Sequence, residues 1–193
     1  MKFKNLEMTG FKSFSEKTTV LIEKGLTGIV GPNGCGKSNI VEALRWCMGE
    51  NSAKSMRGSG MEDVIFSGTS NRPSKNISEV ALLLDNHEKN SPVQYKEFDE
   101  ILIKRKIEKD KGSKYYINDK EVRARDVQTF FADLSTGAHS PSLISQGRIG
   151  QLVTAKPIER KSILEEAAGI SGIHARRQEA CLLYTSPSPR DNR

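Results

Sequence analysis

The chain has 193 residues, of which 36% are hydrophobic and 28% charged, a length that suits one compact domain or a domain with an appendage. It has no run of 18 apolar residues and no apolar signal-peptide core at its start, which excludes a membrane-spanning helix and predicts a reducing, cytoplasmic location. Thirty Lys and Arg against 24 Asp and Glu give a net charge of +6, a modest excess that suggests a polyanionic partner. The three cysteines form no C-x-x-C pair, which excludes a zinc site or a disulfide framework.

The first third of the chain predicts strands followed by one helix. Residues 2–9 and 17–23 indicate strands, the second because it is rich in β-branched side chains. A short apolar run at 26–30 predicts a buried strand that ends at Gly31. Residues 37–48 predict a helix, because their apolar side chains recur at helical spacing and a glycine follows them.

The rest of the chain predicts loops, paired strands and two further helices. The segments 50–76 and 135–156 are predicted loops, and Asn118 with Asp119 is a predicted turn. The predicted strands are 77–84, 101–107 and 114–117, and the predicted helices are 123–134 and 157–168, the last opened by Pro157. This order of elements predicts an α/β or α+β fold with a mixed sheet.

A phosphate-binding loop is the strongest motif in the sequence. Residues 31–38 read G-P-N-G-C-G-K-S and match G-x-x-x-x-G-K-[ST] in full, between a predicted strand and a predicted helix. Glycines let the backbone wrap a phosphate, and the helix N-terminus adds its positive dipole end. Lys37 can bridge the β- and γ-phosphates of a nucleotide, and the Ser38 hydroxyl can hold Mg²⁺. Cys35 is interpreted as a small loop residue.

Hydrolysis needs more than this loop, because an acidic Mg²⁺ ligand and a group that orients water are also required. Residues 81–85 form an apolar run that ends in Asp85, which leaves open a self-contained P-loop kinase or NTPase. A plain sheet strand is the favoured interpretation, because no glutamate follows Asp85 directly.

The positive charge is concentrated in one segment, residues 104–125, which we call the basic segment. It holds nine basic and four acidic side chains, a net charge of +5 out of +6. Two interpretations stay open: a solvated edge hairpin or a surface that faces nucleic acid, and a purely nucleic-acid-binding module is a further alternative. The candidate DNA contacts are Lys104, Arg105, Lys106, Lys109 and Lys111.

Five blocks together resemble the head of structural maintenance of chromosomes (SMC) proteins, and the bacterial form most of all. They are G-F-K-S-F at 10–14, G-P-N-G-C-G-K-S-N at 31–39, S-M-R-G at 55–58, M-E-D-V-I-F at 61–66 and I-S-Q-G-R-I at 144–149. The resemblance covers residues 1–180 approximately and also includes residues 161–172.

The resemblance implies the N-terminal lobe of an ABC-type ATPase head that is split by a long coiled coil. It implies ATP and Mg²⁺ as cofactors, with Gln146, Lys37 and Arg57 as catalytic residues and Ser38 and Gln146 at the metal. The residues implied at the nucleotide are Lys12, Ser13, Gly31, Pro32, Asn33, Gly34, Cys35, Gly36, Lys37, Ser38 and Asn39. The implied partners are the chain's own C-terminal lobe, a second head in a homodimer, a kleisin-type subunit and double-stranded DNA.

The same resemblance divides the chain into three parts. Residues 1–156 form the predicted ATPase lobe, and residues 157–180 begin a predicted coiled-coil helix. Residues 181–193 contain two prolines and no heptad, so we expect a disordered or wrongly joined tail there. The expected function is chromosome condensation and segregation, with an SMC-like recombination or repair ATPase as the alternative. The lobe alone is expected to be inactive, because the signature motif and the catalytic glutamate belong to the other lobe.

Overall fold

The computed structural model describes residues 1–134, 153–168 and 177. Within this described part, six strands form one sheet, and the helices are α1 (Lys37–Cys47), α2 (Ala124–Asp133) and α3 (Pro157–Ala167). The strands are β1 (Lys2–Thr9), β2 (Thr18–Leu21), β3 (Ile77–Asp85), β4 (Glu100–Glu108), β5 (Gly112–Ile117) and β6 (Lys120–Val122). Short 3-10 turns occupy Lys54–Met56, Met61–Val64 and Val93–Tyr95. None of the described helices is long and apolar enough to cross a membrane.

The sheet has the order β2-β1-β3-β4-β5-β6, and each of its strand pairs is antiparallel. Alternation along each strand sets its two faces: in β4, Ile101, Ile103 and Ile107 are buried while Lys104 and Lys106 are partly exposed. The turn between β5 and β6 is made by Asn118 and Asp119, which both have positive φ, as the sequence predicts.

The core lies between one face of the sheet and helices α1 and α2. Helix α1 packs on β3 and β4, where the Cys47 thiol lies 3.4 Å from the Ile103 carbonyl oxygen. The Trp46 ring packs against Phe11 with ring centres 5.5 Å apart. Helix α2 packs near β5 through Phe130 and Phe131, which are both buried. The core therefore fixes α1 against the middle of the sheet.

The predicted strands at 2–9, 17–23, 77–84, 101–107 and 114–117 and the first two predicted helices are confirmed, with ends shifted by a few residues. The predicted buried strand at 26–30 is wrong: Leu26 is 100% exposed and Val30 is 94% exposed. An apolar strand is buried only when neighbouring strands and a covering layer surround it, and none of the described strands pairs with this segment. The described strands pair only antiparallel, so the parallel part expected of a mixed sheet is not among them.

Several predictions fall on residues outside the described part of the chain. These are Gln146, most of the predicted loop at 135–156, the end of the coiled-coil segment at 169–180 apart from Arg177, and the tail at 181–193. The division at residues 156 and 180 therefore stays a prediction. Helix α3 begins at Pro157, where the sequence places the start of the last helix.

Candidate nucleotide-binding site

The loop at residues 31–36 leads directly into α1, as the motif predicts. Gly34 and Gly36 have φ values of 85° and 95°, a backbone conformation that side chains rarely adopt. A Cβ atom at Gly36 would lie 2.6 Å from the Ser13 hydroxyl oxygen, so this close approach also requires glycine. No side chain of the described residues caps α1 at Gly36. The Asn39 N–H donates to the Gly36 carbonyl oxygen at 2.9 Å, so the N–H groups before it are the ones that an anion can bind.

The Lys37 ammonium lies within its own loop. Its Nζ donates to the carbonyl oxygens of Gly31 and Pro32, both at 2.6 Å, and lies 3.9 Å from the Cys35 sulfur. These three contacts use the three N–H donors of the ammonium, and the one to sulfur, the weakest acceptor, is the one that a phosphate oxygen can replace. Ser38 follows on the first turn of α1 and is exposed. The loop, the ammonium and the hydroxyl therefore have the arrangement that binds a nucleotide phosphate.

A second group of side chains lies beside the loop and comes from three separate chain segments. Asn39 of α1 donates from its amide to the Ser13 hydroxyl oxygen at 2.8 Å. The Arg57 Nη2 donates to the side-chain oxygen Oδ1 of Asn39 at 3.0 Å. The Glu42 carboxylate forms ion pairs with both Lys12 and Arg57. Lys12, Ser13, Asn39 and Arg57, which the resemblance places at the nucleotide, are thus brought together.

Two residues of this group have an unusual backbone conformation. Lys12 and Arg57 have φ values of 48° and 55°, in the left-handed region. Such residues cost on the order of 1 kcal/mol each and persist where surrounding contacts fix them, often at functional sites. The Lys12 N–H donates to the Val64 carbonyl oxygen at 2.7 Å, and the Arg57 N–H donates to that of Lys54 at 3.0 Å. The backbone therefore fixes where both basic side chains begin.

Glu42 is a site residue that the sequence reasoning missed. It lies four residues after Ser38, so both occupy neighbouring positions on α1. Only 10% of its side chain is exposed, and a glutamate is rarely buried to this extent unless it is paired, as Glu42 is. The helical spacing from Ser38 is the signal that could have identified it.

The proposed DNA contact at Arg105 is wrong. Its side chain points into the core and is 1% exposed, because it alternates with the outward-facing Lys104 and Lys106 on β4. The guanidinium carbon lies 4.5 Å from the centre of the Trp46 ring and 4.6 Å from that of Tyr115. Burial lowers the pKa of Arg105 to about 10, so it stays charged at neutral pH.

The other candidate DNA contacts lie at the surface, but two of the four lysines have acidic neighbours. Lys104 pairs with Asp119 at 3.3 Å, and Lys111 pairs with Glu108 at 2.6 Å. Lys106 and Lys109 form no ion pair within the described part of the chain.

Asp85 is far from the phosphate-binding loop. It ends β3 opposite Lys2, whereas Gly10, which leads to Lys12 and Ser13, lies next to Ile77 at the other end of that strand. Eight steps along a strand span about 27 Å. Hydrogen bonds from the backbone and side chain of His87 lower the pKa of Asp85 to about 2. This position gives no support to a self-contained kinase that uses Asp85.

Comparison with known proteins agrees with this geometry. The family model described as RecF/RecN/SMC N terminal domain matches residues 2–147. The chromosome partition protein Smc of Cereibacter sphaeroides is 58% identical over 180 residues, which are 93% of this chain and 16% of that protein. This chain therefore spans about 16% of the length of that curated relative.

Two solved structures resemble the fold. One is an SmcHead bound to the C-winged helix domain of ScpA, with a TM-score of 0.82 and 32% identity over 89% of this chain and 52% of that one. The other comes from work on ATP-driven dimerization and DNA-stimulated activation of SMC ATPases, with a TM-score of 0.74 and 32% identity over 86% of this chain and 99% of that one. These likenesses confirm the predicted resemblance and the predicted fold class, the N-terminal lobe of an SMC head. The curated relative is named for chromosome partition, and not for recombination or repair.

Proposed function

Because the chain belongs to the RecF/RecN/SMC N-terminal domain family, we propose that it is the ATP-binding N-terminal lobe of a chromosome-organising SMC ATPase. The observation that carries this proposal is the glycine loop that holds the Lys37 ammonium beside the uncapped start of α1. Together with its C-terminal lobe, the lobe binds and hydrolyses ATP to drive chromosome condensation and segregation, in the cytoplasm at the nucleoid.

The residues of the loop fit a nucleotide with Mg²⁺. The backbone N–H groups at the start of α1 and the Lys37 ammonium hold phosphate oxygens, and the exposed Ser38 hydroxyl is a hard oxygen ligand of the kind that Mg²⁺ prefers. When bound, Mg²⁺ neutralises charge on the β- and γ-phosphates. Gln146 is proposed to contact the metal and the attacking water, and Arg57 to lie near the γ-phosphate.

A C-terminal lobe is the partner that the exposed segment 26–30 supports best. This segment is apolar, ends at the phosphate-binding loop and exposes Leu26 and Val30 almost completely. Burying such side chains contributes about 2 kcal/mol each, so a covering strand is favourable. The C-terminal lobe is also proposed to supply the signature motif and the catalytic glutamate. The lobe alone is therefore expected to bind ATP weakly and hydrolyse it negligibly.

Other partners are proposed from the solved relatives. One relative binds the C-winged helix domain of ScpA, and work on another concerns ATP-driven dimerization and DNA-stimulated activation. We propose a homodimer of heads, a kleisin-type subunit and double-stranded DNA for the complete protein. On this chain, Lys106 and Lys109 are the best-supported DNA contacts, since Lys104 and Lys111 are paired with acids and Arg105 is buried.

Calorimetric titration with Mg-ATP tests the proposal on the whole chain. The parent is expected to bind, and Lys37→Ala is expected to lose binding because the loop loses its ammonium. Folding of the variant is checked by circular dichroism. Adding the C-terminal lobe of the same protein should produce ATPase activity, which Lys37→Ala and Gln146→Ala should abolish. Multiple turnover by this chain alone at roughly 1 s⁻¹, the low end for ordinary enzymes, would refute a split site.

A further inference from the structure

We propose that Glu42 is a positioning residue of the nucleotide site, one carboxylate that holds Lys12 and Arg57 in place for the phosphates. The inference rests on the proposed function and names a residue that the phosphate-binding motif does not include. It is carried by the contacts of the two carboxylate oxygens. Oε2 is paired with the Lys12 ammonium, and Oε1 is paired with Nε of Arg57.

Glu42 holds the two basic side chains at a fixed position along the axis of α1. It lies on the helix whose first residues are Lys37 and Ser38, so its carboxylate is tied rigidly to the phosphate-binding turn. Its burial removes competing water, which strengthens both ion pairs relative to surface pairs. Lys12 makes a second contact, to the Met56 carbonyl oxygen, directly before Arg57. The carboxylate therefore links the segment at 12–13 with the segment at 56–57.

The guanidinium of Arg57 is held by one edge and exposed at the other. Nε is paired with Glu42 and Nη2 donates to Asn39, whereas Nη1 has no partner among the described residues. The side chain is 59% exposed, against 10% for Glu42. A guanidinium can bind two groups at once because its five N–H donors are rigid and planar. Arg57 can thus keep its contact with Glu42 while its outer edge binds a phosphate oxygen.

The charges of the group also require an anion between the two cations. Without Glu42, Lys12 and Arg57 would repel each other across a partly buried space. With it, the three side chains keep a net charge of +1, which still attracts phosphate. Glu42 therefore orders the two cations without cancelling their charge.

The test compares Glu42→Asp with the parent by calorimetry, using Mg-ATP and Mg-ADP as probes on the whole chain. Aspartate keeps the charge but is one methylene shorter, so it cannot reach both cations. We expect the preference for ATP over ADP to fall about tenfold, the order expected for one lost charge-assisted hydrogen bond. Arg57→Ala should lower the same preference, and Glu42→Asp should then cause no further fall. The matched control is Glu50→Asp, a buried carboxylate paired with Arg45 at the other end of α1, which should leave the preference unchanged.

Each outcome is decisive. An equal loss of ATP and ADP affinity, or a loss of preference that persists in Arg57→Ala, would overturn the inference and leave Glu42 a merely structural residue. If Glu42→Asp does not fold, Glu42→Gln keeps the length and should also lower the preference, because a neutral amide holds Arg57 weakly. A rise in preference would mean that the carboxylate only repels the γ-phosphate, which would also overturn the inference. Failure of the parent to bind ATP would instead refute the proposed function.

Discussion

Replacing Arg105 by alanine is expected to destabilise the fold strongly, although the residue belongs to the basic segment. Its Nη1 donates to the carbonyl oxygens of Trp46 and Glu50 at 2.8 and 2.6 Å, at the C-terminal end of α1. Its Nη2 donates to the Asn51 side-chain oxygen at 3.2 Å. The planar group lies between the Trp46 and Tyr115 rings. Arg105 therefore ties the end of α1 to strands β4 and β5.

The magnitude follows from the contacts that alanine removes. The two backbone carbonyls lose their charged donor, at about 1–3 kcal/mol each if they stay buried without a partner. The two aromatic contacts contribute roughly 0.5–2 kcal/mol each. Part of this is offset, because burial of the charge is itself costly and the Nε atom of Arg105 has no hydrogen-bond partner among the described residues. We expect a net loss of about 3–5 kcal/mol, a large fraction of the roughly 5–15 kcal/mol that stabilises a domain.

Urea unfolding followed by circular dichroism measures this loss. Circular dichroism is preferred to fluorescence because the single Trp46 contacts the substituted side chain. Lys106→Ala is the matched control, because Lys106 is the next residue and its side chain lies on the other face of β4. This variant should change stability by less than about 0.5 kcal/mol. Arg105→Lys should lie between them, because an ammonium can reach one carbonyl but cannot stack as a guanidinium does. If Arg105→Ala stays within about 1 kcal/mol of Lys106→Ala at equal m-value, the reasoning fails.

Three further predictions concern chemistry and binding. Burial raises the pKa of the Cys47 thiol to about 12, so N-ethylmaleimide should label Cys47 only after unfolding. The exposed Cys35 should react in the folded chain, and more slowly with Mg-ATP present. Mass spectrometry of each cysteine measures this, and labelling of folded Cys47 would contradict the prediction. The Asp85 carboxyl should titrate with a pKa of about 2 by NMR. Its stabilising effect is therefore present above the unfolded pKa of 3.8 and is lost as the pH falls toward 2. In His87→Ala the pKa of Asp85 should rise only partway toward 3.8, because the backbone hydrogen bond remains. The DNA prediction concerns charge reversal of the four surface lysines Lys104, Lys106, Lys109 and Lys111, measured by fluorescence anisotropy with duplex DNA. The variant should bind every sequence more weakly and with a flatter salt dependence, and most of the effect should come from Lys106 and Lys109. Unchanged binding at low salt would place the DNA surface elsewhere.

The elements that were predictable from sequence are those whose signal is local. Strand β4 alternates buried and exposed side chains, and the motif at 31–38 fixes a loop followed by a helix, so both were predictable. The segment 26–30 has an equally apolar signal, but its burial depends on neighbours that lie elsewhere. A hydrophobic pattern predicts that burial of a segment is favourable, but it does not predict which part of the protein or which partner buries the segment.

Charge counting failed at Arg105 for a related reason. The sum over the basic segment treats each cation as a surface charge, yet the alternation of β4 places position 105 on the inner face. That alternation is visible in the sequence as Ile101, Ile103 and Ile107 on the same face. Combining the two patterns would have separated Arg105 from Lys104 and Lys106 without a structure.

Helical spacing from Ser38 could have placed Glu42 near the site, but its ion pairs were not predictable, because its partners are distant in sequence. Lys12 lies 30 residues before it on the chain, and Arg57 follows α1 after a turn whose left-handed backbone no local signal requires. The same helix is fixed at both ends by buried charge. Glu42 orders two cations near its phosphate-binding start, and Arg105 donates to backbone carbonyl oxygens at its C-terminal end. A nucleotide that binds the first turn of α1 therefore binds a helix that cannot shift on the sheet. In the proposed function, phosphate contacts at Lys37 and Arg57 then keep a fixed separation, which is the condition for two distant segments to bind one ligand.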